Sequence, residues 1–265
     1  MGTRGLWAIR KGGKDKAAYN HFDSYPEGLG DDVISFIKRM SVKKLNDLFD
    51  LIVTVDDDTR PTKEQIAICK RNGWFDGMVA SGSDHDWYCL LRNLQGDFDN
   101  YEKAQQEASP IFMIQSIDFI LNSLFCEYAY IINLDNLTLE YYVGYQKEPQ
   151  KGNRYGVKPD EDGYYPCKLV KAYDLAEIIN RDTESLVREM DKADEEDDGE
   201  VFKVELKEKV SFFIRAKDEY QAMEWLRNNS INEARELAGH DLDTDYDERI
   251  ICPCMPTSEA DFDIR

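Results

Sequence analysis

Lys11-Gly12-Gly13-Lys14-Asp15 is the segment that most constrains how this chain folds. Short runs of alternating apolar character, 5–10 and 16–22, flank it on both sides. Gly-Gly supplies the positive φ that a tight turn needs, so the spacing predicts an antiparallel hairpin at the start of the sequence. A second hairpin signal lies at 127–134 and 138–145, turning at Asp135-Asn136. There Tyr128, Tyr130 and Ile132 alternate with Ala129, Ile131 and Asn133. Hairpins mixed with helices, without regular strand–helix–strand alternation, argue for an α+β fold rather than a doubly wound parallel sheet.

Helical spacing of apolar residues is clearest at 31–40, through Val33, Ile34, Phe36 and Ile37. Segments 42–49 and 62–70 follow, the latter with Thr62 as its cap and Asn72-Gly73 as its stop. The β-branched stretch 51–55 reads as a short buried strand or a helix end. Further helices are expected at 86–94, stopped by Gly96, and at 111–125. A strand at 164–173 and a helix from 175 complete a first domain, 1–188.

Glu189, Asp191, Asp194, Glu195, Glu196, Asp197, Asp198 and Glu200 form an acidic run, read as a helix end plus a solvated linker spanning 189–200. Beyond it 201–215 alternates twice, 218–228 is amphipathic and 246–252 can close as a strand. That pattern predicts a small β-α-β unit, 201–254, followed by a frayed tail, 255–265.

A hydrophobic fraction of 42% over 265 residues permits a substantial core, and the net charge of −20 decides what can approach its surface. The charge is uneven: from Thr183 onward there are 24 Asp or Glu against 11 Lys or Arg. Such a field repels nucleic acid and anionic lipid and favours basic protein surfaces. No apolar run approaches the ~20 residues of a membrane span. No secretory leader is evident either, and the cysteines, with only Cys252 and Cys254 close together, read as reduced thiols of a cytoplasmic protein.

Candidate chemistry concentrates where the second strand ends, at Asn20-His21-Phe22-Asp23-Ser24-Tyr25-Pro26. Thr3, His21 and Asp23 are the candidate catalytic residues of an N-terminal-nucleophile-like hydrolase, with Asn20 in support. That chemistry uses the nucleophile's own α-amine, and removal of Met1 would expose Gly2 rather than Thr3. His21 and Asp23 share a face if the strand continues through them. The competing expectation is a turn network in which Asp23 or Ser24 bonds the backbone before Pro26. As a binding surface, Asn20 and Tyr25 join Asp241, Asp243, Asp245 and Asp247. Asp84-His85-Asp86 with Asp56-Asp57-Asp58 has metal-ligand chemistry but also reads as ordinary caps and turns, and no metal or cofactor is expected.

The opening Met-Gly-Thr-Arg-Gly and the Asn-His-Phe-Asp-Ser-Tyr-Pro block resemble those of a set of uncharacterised bacterial and phage proteins. The resemblance continues through Asp86-Trp87-Tyr88, Gln95-Gly96-Asp97, the stretch 123–135 and Gly163-Tyr164-Tyr165-Pro166. It implies a shared fold and assigns no activity. The leading expectation is a non-catalytic acidic interaction protein, phage or mobile-element encoded, that binds a basic surface of a host or partner protein. The hydrolase is the alternative.

Overall fold

The computed structural model describes residues 2–94, 96–197, 200–205, 211–216 and 263–264, with side chains described as far as Ala193. Strands β1 (Gly5–Lys11) and β2 (Lys14–Asn20) form the first hairpin. They pair antiparallel from Gly5↔Asn20 to Lys11↔Lys14. Gly12 and Gly13 have φ of 59° and 74°, the double positive φ of a two-residue turn whose twist matches the strands.

The sheet grows on the other side of β1. Strand β1 pairs parallel with a later strand, Tyr128–Asn133, and two antiparallel strands follow, Thr138–Val143 and Lys168–Asp174. A short parallel pair elsewhere joins Ile52–Val55 to Ile111–Ile114. In chain order these are β3 (Ile52–Val55), β4 (Ile111–Ile114), β5 (Tyr128–Asn133), β6 (Thr138–Val143) and β7 (Lys168–Asp174). The five-stranded sheet runs β2-β1-β5-β6-β7. The parallel centre, β1 beside β5, brings the two hairpins into one sheet.

Alternation along β1 divides the core. Trp7 and Ile9 face one side with Tyr130, Ile132, Leu139 and Tyr141, against the helices. These are α1 (Asp31–Arg39), α2 (Val42–Leu51), α3 (Lys63–Arg71), α4 (Trp87–Leu90), α5 (Phe98–Gln106), α6 (Leu175–Asn180) and α7 (Thr183–Asp197). Trp7 is fully buried between Phe98, 4.8 Å away, and Tyr101, 4.9 Å away. Leu6, Ala8, Ala17, Ala129 and Ile131 face the other side, where the loops around Ile120, Cys126 and Cys167 cover them. Helices on one face and loops on the other make the α+β arrangement. Lys16 ties the hairpin to α2 by donating to the carbonyls of Phe49 at 2.7 Å and Ile52 at 2.6 Å, where a helix end has acceptors left over.

Several expected elements differ. The helix expected at 86–94 is only the single turn of α4, closed at Leu91. The expected helix 111–125 is instead β4 followed by a 3-10 turn, Ile117–Leu121, because the apolar run Ile111–Met113, which suits a buried helix or strand alike, pairs with β3 and is buried on both strand faces. Helix α5 was not anticipated; Asp97 caps it through the amides of Asp99 and Asn100. The Thr62 cap of α3 is present as a reciprocal capping box with Gln65.

Helix α7 carries the acidic run as far as Asp197, and the chain divides into two compact units at Ala193 and Asp194. In the second unit β8 (Glu200–Glu205) pairs antiparallel with β9 (Ser211–Ala216). The other edge of β8 takes β10 (Asp263–Ile264), so two residues of the tail expected to fray are in a sheet. The amphipathic segment 218–228, the strand expected at 246–252, His240 and the Cys252-Pro253-Cys254 pair lie outside the described residues.

Candidate functional site

Strand β2 stops at Asn20, and the chain turns back through a loop built from the inside. Asn20 Nδ2 donates to the Phe22 carbonyl at 2.5 Å and to Ser24 Oγ at 2.8 Å. Ser24 is fully buried; its amide donates to the Thr3 carbonyl at 3.3 Å, and its own carbonyl accepts Tyr130 Oη at 3.0 Å. Asp23 takes a φ of 53°, and its carbonyl accepts the Leu29 amide at 2.8 Å. Gly28 allows that return, since a Cβ there would sit 2.1 Å from the Asp23 carbonyl oxygen.

Such an anchored loop leaves its other side chains facing water. His21, Phe22, Asp23 and Tyr25 are exposed, Phe22 by 54%. The rings form a ladder: Phe119 to Tyr19 at 5.1 Å, Tyr19 to His21 at 5.8 Å, His21 to Phe22 at 4.2 Å. His21 Nδ1 is hydrogen-bonded to Tyr19 Oη at 2.8 Å. Burial raises the Tyr19 hydroxyl's pKa, against a smaller opposing effect of Arg4.

Across the start of β1 the same end of the sheet continues. The Arg4 amide donates to Glu127 Oε1 at 3.0 Å, while its guanidinium lies 4.6 Å over the ring of Phe125. The Tyr145 hydroxyl lies near Glu127, and its pKa is raised by burial first and then by the Glu127 charge. The Tyr145 backbone, at φ 56°, is pinned by its amide's 2.7 Å bond to the Ser123 carbonyl. Phe125 is 38% and Tyr145 55% exposed.

The structure brings Asn20, His21, Asp23 and Tyr25 into this one loop, and places Thr3 beside it, half-buried, through its backbone. It does not link Thr3, His21 and Asp23 by side-chain hydrogen bonds; among the described residues the Asp23 carboxylate has no partner. The shared strand face expected for His21 and Asp23 is absent, because β2 ends before them and Asp23 turns left-handed. The turn network is present, with Asn20 and Ser24 as its polar anchors rather than Asp23. Arg4, Phe125, Glu127 and Tyr145 were not anticipated. Arg4 lies in the Met-Gly-Thr-Arg-Gly opening, and Phe125 and Glu127 in the stretch 123–135, whereas nothing local marks Tyr145. Asp241, Asp243, Asp245 and Asp247 lie outside the described residues.

The other carboxylate groups serve the fold. Asp84 pairs with Lys70 at 2.5 Å, Asp86 caps α4 through the Tyr88 amide at 2.8 Å, and Asp56 closes a turn through the Asp58 amide at 3.0 Å. Asp57 is raised by burial and then by the charges of Asp86, Asp58 and Asp56, so the two acidic segments do approach one another. Among the described residues no three His, Cys, Asp or Glu side chains come together as a metal site. An apolar crevice of about 10 Å³ between Leu91, Leu94, Phe112 and Ile114 has space for about one water rather than a substrate. Among the described residues no helix is long and apolar enough to cross a membrane.

Comparison with family models, with curated proteins and with solved structures returned no match.

Proposed function

We propose that this chain is a non-catalytic acidic interaction protein that binds, and thereby blocks, a basic surface of another protein. One observation carries the reading: acidic residues far outnumber basic ones, and several of the described cations are already engaged in ion pairs within the fold. Arg10 pairs with Asp15 at 2.6 Å, Lys11 with Asp50 at 2.8 Å, Arg39 with Glu102 at 3.1 Å and Arg181 with Glu177 at 2.6 Å. Arg154 pairs with Glu140, and Lys171 with Glu189. Against 53 acidic residues stand 33 basic ones, so such pairing leaves a net field of −20. A field of that sign steers a basic surface toward the chain and disfavours direct nucleic-acid binding.

The basic surfaces of many proteins are those that hold nucleic acid, and a polyanionic protein competes for them. The test is competition. A partner captured by the tagged chain is challenged with heparin or duplex DNA, and displacement of the chain is expected. A complex that survives saturating polyanion contradicts the reading.

A further inference from the structure

We propose that the exposed aromatic rim at the end of the sheet, Phe22, Tyr25, Phe125 and Tyr145, is where the basic partner anchors, through arginine side chains stacked on the rings. This rests on the acidic-binding reading and names the surface and the partner chemistry within it.

The rings are open. Phe22 and Tyr145 are 54% and 55% exposed, and Phe125 and Tyr25 are 38% and 36% exposed. They are also held in place. Ser24 is buried beneath the loop, Gly28 packs against the Asp23 carbonyl, and Gly144 leaves room for the Cys126 carbonyl 2.2 Å from where its Cβ would be. Exposed aromatics on a fixed backbone lose little conformational entropy on binding, which suits them as anchors.

The charges select the occupant. Asp23, whose carboxylate has no partner among the described residues, follows Phe22 directly, and Glu127 sits between Arg4 and Tyr145. Arg4 offsets Glu127 and already covers one face of Phe125, so the uncompensated charge of the rim is that of Asp23, and it favours a cation over an anion beside Phe22 and Tyr25. The fold already contains one example: the Arg4 guanidinium lies 4.6 Å over Phe125. A planar guanidinium stacks on such faces, whereas a lysine ammonium is a compact, strongly hydrated charge. Arginine is thus the residue the rim should prefer.

The experiment measures binding of labelled nona-arginine and nona-lysine peptides to the full chain over a range of salt. Both should bind in a salt-dependent way, with nona-arginine roughly tenfold tighter, as expected of two stacked guanidinium groups. The double variant Phe22→Ala/Tyr145→Ala should reduce nona-arginine to the nona-lysine level and leave the salt slope unchanged, since no charge is altered. Phe22→Leu, which keeps an apolar side chain without a π face, should lose part of the same preference and so guards against a folding defect. Equal affinity for the two peptides in the unaltered chain, or a preference that survives the double variant, overturns the rim proposal and leaves the acidic reading standing. Absence of salt-dependent binding to either peptide removes the acidic reading itself.

Discussion

The carboxylate of Asp135 accepts the amide of Gly12 at 2.6 Å, and its second oxygen accepts that of Gly13 at 2.9 Å. The turn of the second hairpin thereby clasps the turn of the first, across the parallel junction of β1 and β5. These two N–H groups, that of Gly13 foremost, hold the Asp135 carboxyl below its ordinary range. The tie is therefore complete above the ordinary carboxylate pKa and is lost as pH falls through the depressed value. Asp135→Ala should speed hydrogen exchange at Gly12 and Gly13 severalfold and lower the melting temperature slightly. Unchanged exchange at both amides would show that the glycine turn holds itself.

Glu140 sets the acid limit of the sheet. Burial to 4% exposure pushes its carboxyl up, yet hydrogen bonds from Arg154 at 2.7 Å, Asn133 at 2.8 Å and Tyr142 at 3.2 Å outweigh that and hold it down. A carboxyl depressed in the fold stabilises it above the ordinary value of 4.5 and ceases to do so as pH falls through the folded value. Asp15 nearby runs the other way, since burial raises it. Glu140→Gln should cost about 3 kcal/mol near neutral pH by leaving Arg154 without its counter-charge. Its denaturant midpoint should also vary less with pH below the ordinary Glu value. An acid limb identical to that of the unaltered chain would contradict this assignment.

Two glycines of the first hairpin should respond very differently to alanine. At Gly5 a Cβ would fall 2.3 Å from the Tyr128 carbonyl oxygen and 2.8 Å from Ser24 Cβ, inside the central strand pair. At Gly12 it would meet nothing within 4 Å, and only the positive φ opposes it. Gly12→Ala should cost about 1 kcal/mol. Gly5→Ala should cost several times that, because the backbone of β5 cannot move aside without disrupting the sheet. Equal losses in denaturant melts would mean that the two strands separate more readily than their packing indicates.

How much of this could be read from the residues follows from the range of the interactions. Gly12-Gly13 and the alternation at 128–133 are local signals, and both hairpins formed as expected. The Thr62 cap is equally local. The parallel pairing of β1 with β5 joins residues more than a hundred positions apart, and no local pattern encodes it. Apolar continuity at 111–113 fits a buried helix or a buried strand alike, and the pairing with β3 decided for the strand. At the candidate site, the crowding of His21, Asp23 and Ser24 announced a special loop, which the Asn20 and Ser24 hydrogen bonds explain. Tyr145 reached the same rim only through the register of β5 and β6, with Tyr128 opposite Val143 just before the strand ends.

The acidic-binding account is tested most directly by the association rate between the full chain and the basic partner it captures, measured against ionic strength. Screening shortens from ~10 Å at 0.1 M salt to ~3 Å at 1 M, so the rate should fall steeply over that range. A variant with Asp241, Asp243, Asp245 and Asp247 all changed to Asn should associate more slowly at low salt and converge on the unaltered chain at high salt. A rate indifferent both to salt and to the four substitutions would contradict the account.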